Sequence, residues 1–135
     1  MKSIADTGFI VAFANRNDQY HQWAVELAAQ VTEPLLTCEA VLAEAAFHLR
    51  SPETVLALVR EGLLVLAFDA SKHLLQLEAL ATRYADRQPE LADLCVIRMS
   101  EMHPSHHVVT VDREDFRVYR RNKREVIPLI CPPEG

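Results

Sequence analysis

Leu63-Leu64-Val65-Leu66-Ala67-Phe68 is apolar at every position, which gives a strand two hydrophobic faces and predicts that helices cover it on both sides. Such a strand belongs to a parallel sheet. Working back from it, Gly62 ends a helix opened by Ser51-Pro52-Glu53, where Ser51 caps and Pro52 takes the first helical position. Val41, Leu42, Ala45, Ala46 and Leu49 mark one face of another helix, and Leu35-Leu36-Thr37 is a brief strand before it. Glu33-Pro34 closes a helix over residues 20–31, and Lys2 to Ala5 reads as a strand running through Asp6-Thr7-Gly8 into a short helix. Downstream the pattern predicts helices over residues 71–84 and 90–102. A strand over residues 107–111, a helical turn over 113–119 and a last strand over 126–130 follow. Short strands alternating with helices give an α/β fold. It is a three-layer α/β/α sandwich with a short central, mainly parallel sheet, expected as a single domain over residues 1–135.

Composition narrows the functions. Hydrophobic residues at 50% and charged residues at 24% match a globular domain rather than a disordered or fibrous chain. Gly8, Gly62 and Gly135 are the only glycines and lie far apart, which excludes the glycine-rich phosphate loops of Rossmann and P-loop proteins. Cys38, Cys95 and Cys131 include no CxxC pair, so they read as reduced, buried thiols rather than a disulfide framework or zinc knuckle. The longest wholly apolar run is too short to span a bilayer, and Asp6 interrupts any leader-like segment. A cytoplasmic location with no membrane contact is the expectation. The net charge of −5 repels nucleic acid unless cations offset it locally.

In a parallel sheet, ligands bind beyond the carboxyl ends of the strands. Asp6 follows the first strand and Asp112 follows Val109-Thr110-Val111, so the fold places both carboxylates on one edge. Each also suits an ordinary helix cap or turn. Asp93 is different. From Leu91 to Met99 its helix is apolar except for Arg98, and residues five apart on a helix point about 140° away from each other. A buried carboxylate without a partner costs several kcal/mol, so Asp93 should meet a cation, a donor or a metal. Glu44 flanks the stripe of Val41, Ala45 and Leu49, as a solvated glutamate or as a group reaching over the sheet edge. Convergence of these acids makes sense only around a divalent cation, and all-oxygen ligation points to Mg²⁺ or Mn²⁺.

The chain resembles the PIN-domain ribonucleases, most closely the VapC-like toxins of bacterial toxin-antitoxin pairs, over residues 3–130. The resemblance is carried by Asp6-Thr7 with Phe9-Ile10-Val11-Ala12, by Thr37-Cys38-Glu39-Ala40-Val41-Leu42-Ala43-Glu44, by Tyr84-Ala85-Asp86 before Leu91-Ala92-Asp93, and by Thr110-Val111-Asp112-Arg113-Glu114-Asp115-Phe116. It implies that Asp6, Glu44, Asp93 and Asp112 hold one or two Mg²⁺ or Mn²⁺ ions for hydrolysis of single-stranded RNA, leaving 5′-phosphate and 3′-hydroxyl ends. Thr7 and Thr110 resemble residues that orient carboxylates or a water. Asp115 resembles an auxiliary acid, and a surface position in the last helical turn is its alternative. Gly8 stands where many relatives carry a small hydroxyl residue. A small antitoxin protein and a homodimer are the partners that the resemblance implies.

Other signals carry less. His103, His106 and His107 lack metal-site spacing, precede a strand and read as solvated loop residues. His21, His48 and His73 are isolated packing or surface residues. Arg120, Arg121, Lys123 and Arg124 form the one basic run, either an RNA-backbone contact or a solvated loop. Asp86 matches a family acid and also suits a helix end. Among alternatives, a catalytically silent binding or assembly module would leave the acids unused. A haloacid-dehalogenase-type phosphatase needs an Asp at the position of Gly8. A receiver-like domain needs paired acids after the first strand and a lysine near the end of the last.

Overall fold

Ile4 and Ala5 are fully buried. Their strand, β1 (Ser3–Ala5), is central in a five-stranded sheet in a computed structural model that describes residues 2–134. The chain continues through α1 (Thr7–Ala14), α2 (His21–Gln30), β2 (Leu35–Thr37), α3 (Glu39–Leu49), α4 (Pro52–Arg60) and β3 (Leu64–Leu66). Then come α5 (Leu74–Arg83), α6 (Leu91–Met102), β4 (His107–Val109), α7 (Arg113–Val118), β5 (Arg120–Arg121), β6 (Glu125–Val126) and β7 (Leu129–Ile130). The sheet order is β3-β2-β1-β4-β7, with every pair parallel, and helices flank it in the expected three-layer α/β/α arrangement. β5 and β6 form a separate antiparallel hairpin.

The topology fixes one special place on the sheet. From β1 the chain steps outward to β2 and β3, then crosses to the other side of β1 to lay down β4. The order therefore reverses between β1 and β4, and a crevice opens where connections diverge to opposite sides. Ser3 pairs with His107 and Ala5 with Val109, so the two strands end level with each other. Asp6 N–H donates to Val109 O at 3.0 Å, which extends the pairing by one residue. α6 packs against β1 and β4 beneath this crevice and also against α3 and α5. That setting explains why Ala92, Leu94, Cys95, Val96, Ile97 and Met99 are all buried around its circumference.

The helix ends follow local chemistry. Ser51 Oγ accepts Thr54 N–H at 3.3 Å with Pro52 in the first turn of α4, and Gly62 after that helix adopts φ +92°. The expected strand over residues 63–68 is corrected in position: β3 is an edge strand, with Val65 and Leu66 about 40% exposed. Apolar residues on both faces accordingly do not mark an interior strand here. The helix expected over residues 71–84 begins at Leu74, because Asp69 Oδ1 takes the Ser71 N–H and hydroxyl and winds a single 3₁₀ turn first. The last predicted strand is divided between β6, ending at Val126, and β7, starting at Leu129, with Pro128 between them.

Gly8 has a packing reason to be glycine. A Cβ at this position would meet Val111 Cγ2 at 2.2 Å, so α1 and the segment after β4 pack at a distance that only a hydrogen permits. This contact ties the segment carrying Asp6 to the one carrying Asp112. Gly8→Ala should destabilise the fold by about 1–3 kcal/mol through overpacking. Combined with Val111→Ala, it should cost less than the sum of the two single changes in chemical denaturation, and simple additivity would contradict the contact.

Candidate active site

At the crevice between β1 and β4 lies a cleft of about 570 Å³, lined in part by Asp6, Glu44, Asp93 and Asp112, the acids singled out in the sequence. Asp6 occupies the N-cap position of α1, yet its side chain does not cap the helix. Its Oδ2 instead accepts the Thr110 hydroxyl at 2.7 Å, and Asp6 is only 5% exposed. Thr110 Oγ1 in turn accepts Asp112 N–H at 3.0 Å. One buried hydroxyl thus fixes both the first acid and the backbone of the last. Asp112 also caps α7, its Oδ1 accepting Asp115 N–H at 3.1 Å, so the turn role holds for it together with a place in the cleft.

Glu44 projects from α3, and Thr7 Oγ1 lies 3.5 Å from its Oε2. Asp93 is the third residue of α6. Its Oδ2 accepts Glu90 N–H at 3.2 Å within a reciprocal capping box with Glu90. The donor expected for Asp93 is therefore a backbone amide, and the side chain is half-buried rather than enclosed. Arg98 serves other partners, donating to Glu101 and His73 at 3.1 Å each.

These carboxyls disturb one another. Burial is the chief cause that raises the Asp6 carboxyl, opposed by the Thr110 hydrogen bond, with the charges of Asp112 and Glu90 adding to the rise. Glu44 is pushed up to about 8, first by burial, then by a hydrogen bond with Glu90 and by the charges of Glu90, Asp93 and Asp6. Asp93 is pushed up to about 7 by burial and by Asp6 and Asp112, with the Glu90 amide working against the shift. Burial likewise raises Asp112. One shared negative field runs across the cleft.

Glu90 is the site residue that the sequence reading missed. At a helix start it looks like an ordinary cap, which it also is, and only its meeting with Glu44 draws it into the cleft. Its one signal was the Glu90-Leu91-Ala92-Asp93 spacing of a capping box. Asp115 lines the cleft and pairs with Arg87 at 2.7 Å, while Asp86 is exposed and does not line it.

The basic run forms the β5–β6 hairpin, with Lys123 and Arg124 exposed in its turn, as the solvated reading expects, and Arg121 drawn inside. Arg121 is 7% exposed, bound to Glu125 at 3.0 Å and to Ser100 O at 3.2 Å. Among the histidines, His107 stands in β4 and His106 is half-buried, with an Nδ1 that meets no described partner. Both lie toward the amino end of β4, away from the cleft. Cys38 and Cys95 are buried and free, as expected, whereas Cys131, also free, is only half-buried.

The donor set bears on the implied Mg²⁺ or Mn²⁺ through its spacing and its chemistry. Among the described residues, no three His, Cys, Asp or Glu side chains are grouped closely enough to hold an ion as they stand. Mg²⁺ keeps several waters and takes one or two carboxylates directly, so close packing of every acid is not required. The acids contribute oxygen donors only, with their charges uncompensated except at Asp115, and this chemistry fits a hard divalent cation.

A family model described as PIN domain matches residues 4–122, a span that contains every acid of the cleft. No curated protein matches the chain. Among the described residues, no helix is long and apolar enough to cross a membrane.

Glu44 and Asp93 make stability depend on pH in a definite direction. Both hold protons in the folded state that the unfolded chain releases near 4.5 and 3.8, so their contribution is complete at low pH and declines as pH rises through about 7 to 8. Calorimetric melting without metal should accordingly show a falling Tm from pH 5 to pH 8.5, with millimolar Mn²⁺ restoring most of the loss at the upper end. Asp93→Asn keeps an acceptor for Glu90 N–H and should raise the metal-free Tm at pH 8. A flat profile that ignores Mn²⁺ would count against the shared field.

Proposed function

The chain belongs to the PIN domain family, and from that premise we propose that its acidic cleft is the active site of a Mg²⁺- or Mn²⁺-dependent endoribonuclease acting on single-stranded RNA. PIN domains are generally nucleases that use divalent metals. The observation that carries the reading is the convergence of Asp6, Glu44, Asp93 and Asp112 on one cleft from four separate segments of the chain. A surface role would not require acids at a cost to one another.

In this reading Asp6, Glu44, Asp93 and Asp112 hold the ion or ions. When bound, the metal supplies an activated water and stabilises charge on the phosphate and the leaving oxygen. The chain's own groups set the stage. Thr110 holds Asp6 Oδ2 through its hydroxyl hydrogen, keeping that carboxylate in a single orientation. Thr7 steadies Glu44, whose carboxyl is pushed up by burial and by Glu90 beside it. Asp115 fixes Asp112 through its backbone amide. Products would carry 5′-phosphate and 3′-hydroxyl ends.

We also propose that the chain is one PIN domain serving as a VapC-like toxin, paired with itself and restrained by a small antitoxin. An antitoxin with a basic side chain suits the acid cleft. Phe47 and Leu75, each 78% exposed, offer apolar surface that such partners would bury.

Cleavage of end-labelled single-stranded RNA by purified protein tests the activity. Cutting should need Mn²⁺ or Mg²⁺, stop with EDTA, and fall at least about a hundredfold in Asp6→Asn and in Asp93→Asn. Cutting that survives EDTA or both substitutions would contradict the reading.

A further inference from the structure

We propose that Arg87 is the residue that grips the RNA phosphodiester in this cleft, an assignment that rests on the ribonuclease reading. A polyanion entering a cleft lined by Asp6, Glu44, Glu90, Asp93, Asp112 and Asp115 meets the wrong sign of charge on nearly every side. Divalent ions would offset the acids and hold the scissile phosphate, but the flanking phosphates would still meet only acids unless a basic side chain faces them. Among the described residues lining the cleft, Arg87 carries the only lysine or arginine charge.

Position and spare capacity both favour it. Arg87 donates to Asp115 Oδ1 at 2.7 Å, and Asp115 N–H donates to Asp112, so the guanidinium sits one residue from a proposed metal ligand. A guanidinium has five donors in a planar fork. Asp115 is the one acceptor it meets among the described residues, and the side chain is 33% exposed. Donors therefore remain for the oxygens of a phosphate, which the fork matches in a bidentate manner.

The backbone keeps this charge in place. Arg87 closes a 3₁₀ turn from Ala85 with its N–H on Tyr84 O at 2.9 Å, Gln88 follows in the left-handed region at φ 50°, and Pro89 stiffens the exit. Tyr84 is itself buried, and its hydroxyl accepts Arg120 N–H at 2.8 Å. The arginines of the hairpin make poorer candidates. None of them lines the cleft: Arg121 is buried against Glu125 and Ser100, and Arg120 turns one guanidinium nitrogen to the carbonyls of Arg117, Val118 and Tyr119.

The test measures binding of short, fluorescein-labelled single-stranded RNAs of unrelated sequence by anisotropy, with Ca²⁺ present and salt varied. Cleavage in Mn²⁺ is measured beside it for wild type, Arg87→Gln and Arg87→Lys. Arg87→Gln should weaken binding about tenfold on every RNA, reduce the steepness of the logarithmic salt dependence by about 0.7, and raise KM more than it lowers kcat. Arg87→Lys should recover the salt dependence but only part of the affinity, because it keeps the charge and loses the fork. Melting temperatures should stay near wild type, since the pair with Asp115 is partly exposed. Affinity and salt dependence unchanged in Arg87→Gln would overturn the assignment. Wild type that binds RNA and cuts none would sink the ribonuclease reading while the binding comparison still decides Arg87. Wild type that neither binds nor cuts would end both.

Discussion

The hydrogen bond from Thr110 Oγ1 to Asp6 Oδ2, 2.7 Å long and buried, joins the ends of β1 and β4 at the point where the sheet order reverses. Around it the rest of the site is arranged. The same hydroxyl oxygen takes Asp112 N–H, Asp112 caps α7 through Asp115, and Gly8 packs against Val111 in the residue between. Parallel pairing keeps the two strand ends level, so two residues more than a hundred positions apart meet without any further device.

The topology that gathers the acids also softens their repulsion. In a parallel sheet each strand runs into a helix whose amino end returns toward the same edge, and helix amino ends carry a partial positive charge. Asp6 stands at the N-cap of α1, Asp93 in the first turn of α6 and Asp112 at the N-cap of α7. Each placement is worth roughly 0.3–1 kcal/mol near an exposed helix end and up to about 2 where partly buried. Glu44 lies inside α3 without this help, and its carboxyl is pushed up to about 8. The residual strain is what a divalent cation would relieve. The carboxyls are held there at a cost to the free chain.

Much of this was legible in the sequence, and the failures have identifiable causes. Asp6 and Asp112 could be placed on one edge because the strands before them are β-branched or buried runs and the fold fixes their direction. Asp93 stood out because its helix is apolar nearly all round. Glu90 could not be read, since a glutamate opening a helix looks the same whether or not Glu44 faces it from another element. The edge position of β3 was hidden for a similar reason: Val65 and Leu66 are apolar but exposed, and sequence alone does not say what covers a face. Arg121 read as exposed, to RNA or to solvent, because arginines usually are. Its burial depends on Ser100 O, twenty-one residues away, together with Glu125. Gly8 looked like the loss of a hydroxyl, whereas its place is set by the methyl of Val111.

Convergence of the carboxylates on a divalent cation is the claim on which the rest stands. Anomalous difference density from crystals soaked in Mn²⁺ tests it most directly. The account predicts a peak in the cleft beside the carboxylate of Asp6, with Asp93 or Asp112 as a second ligand, and no such peak in Asp6→Asn. A well-diffracting soak with no anomalous peak in the cleft, or with its peak at the histidines near the amino end of β4, would contradict it.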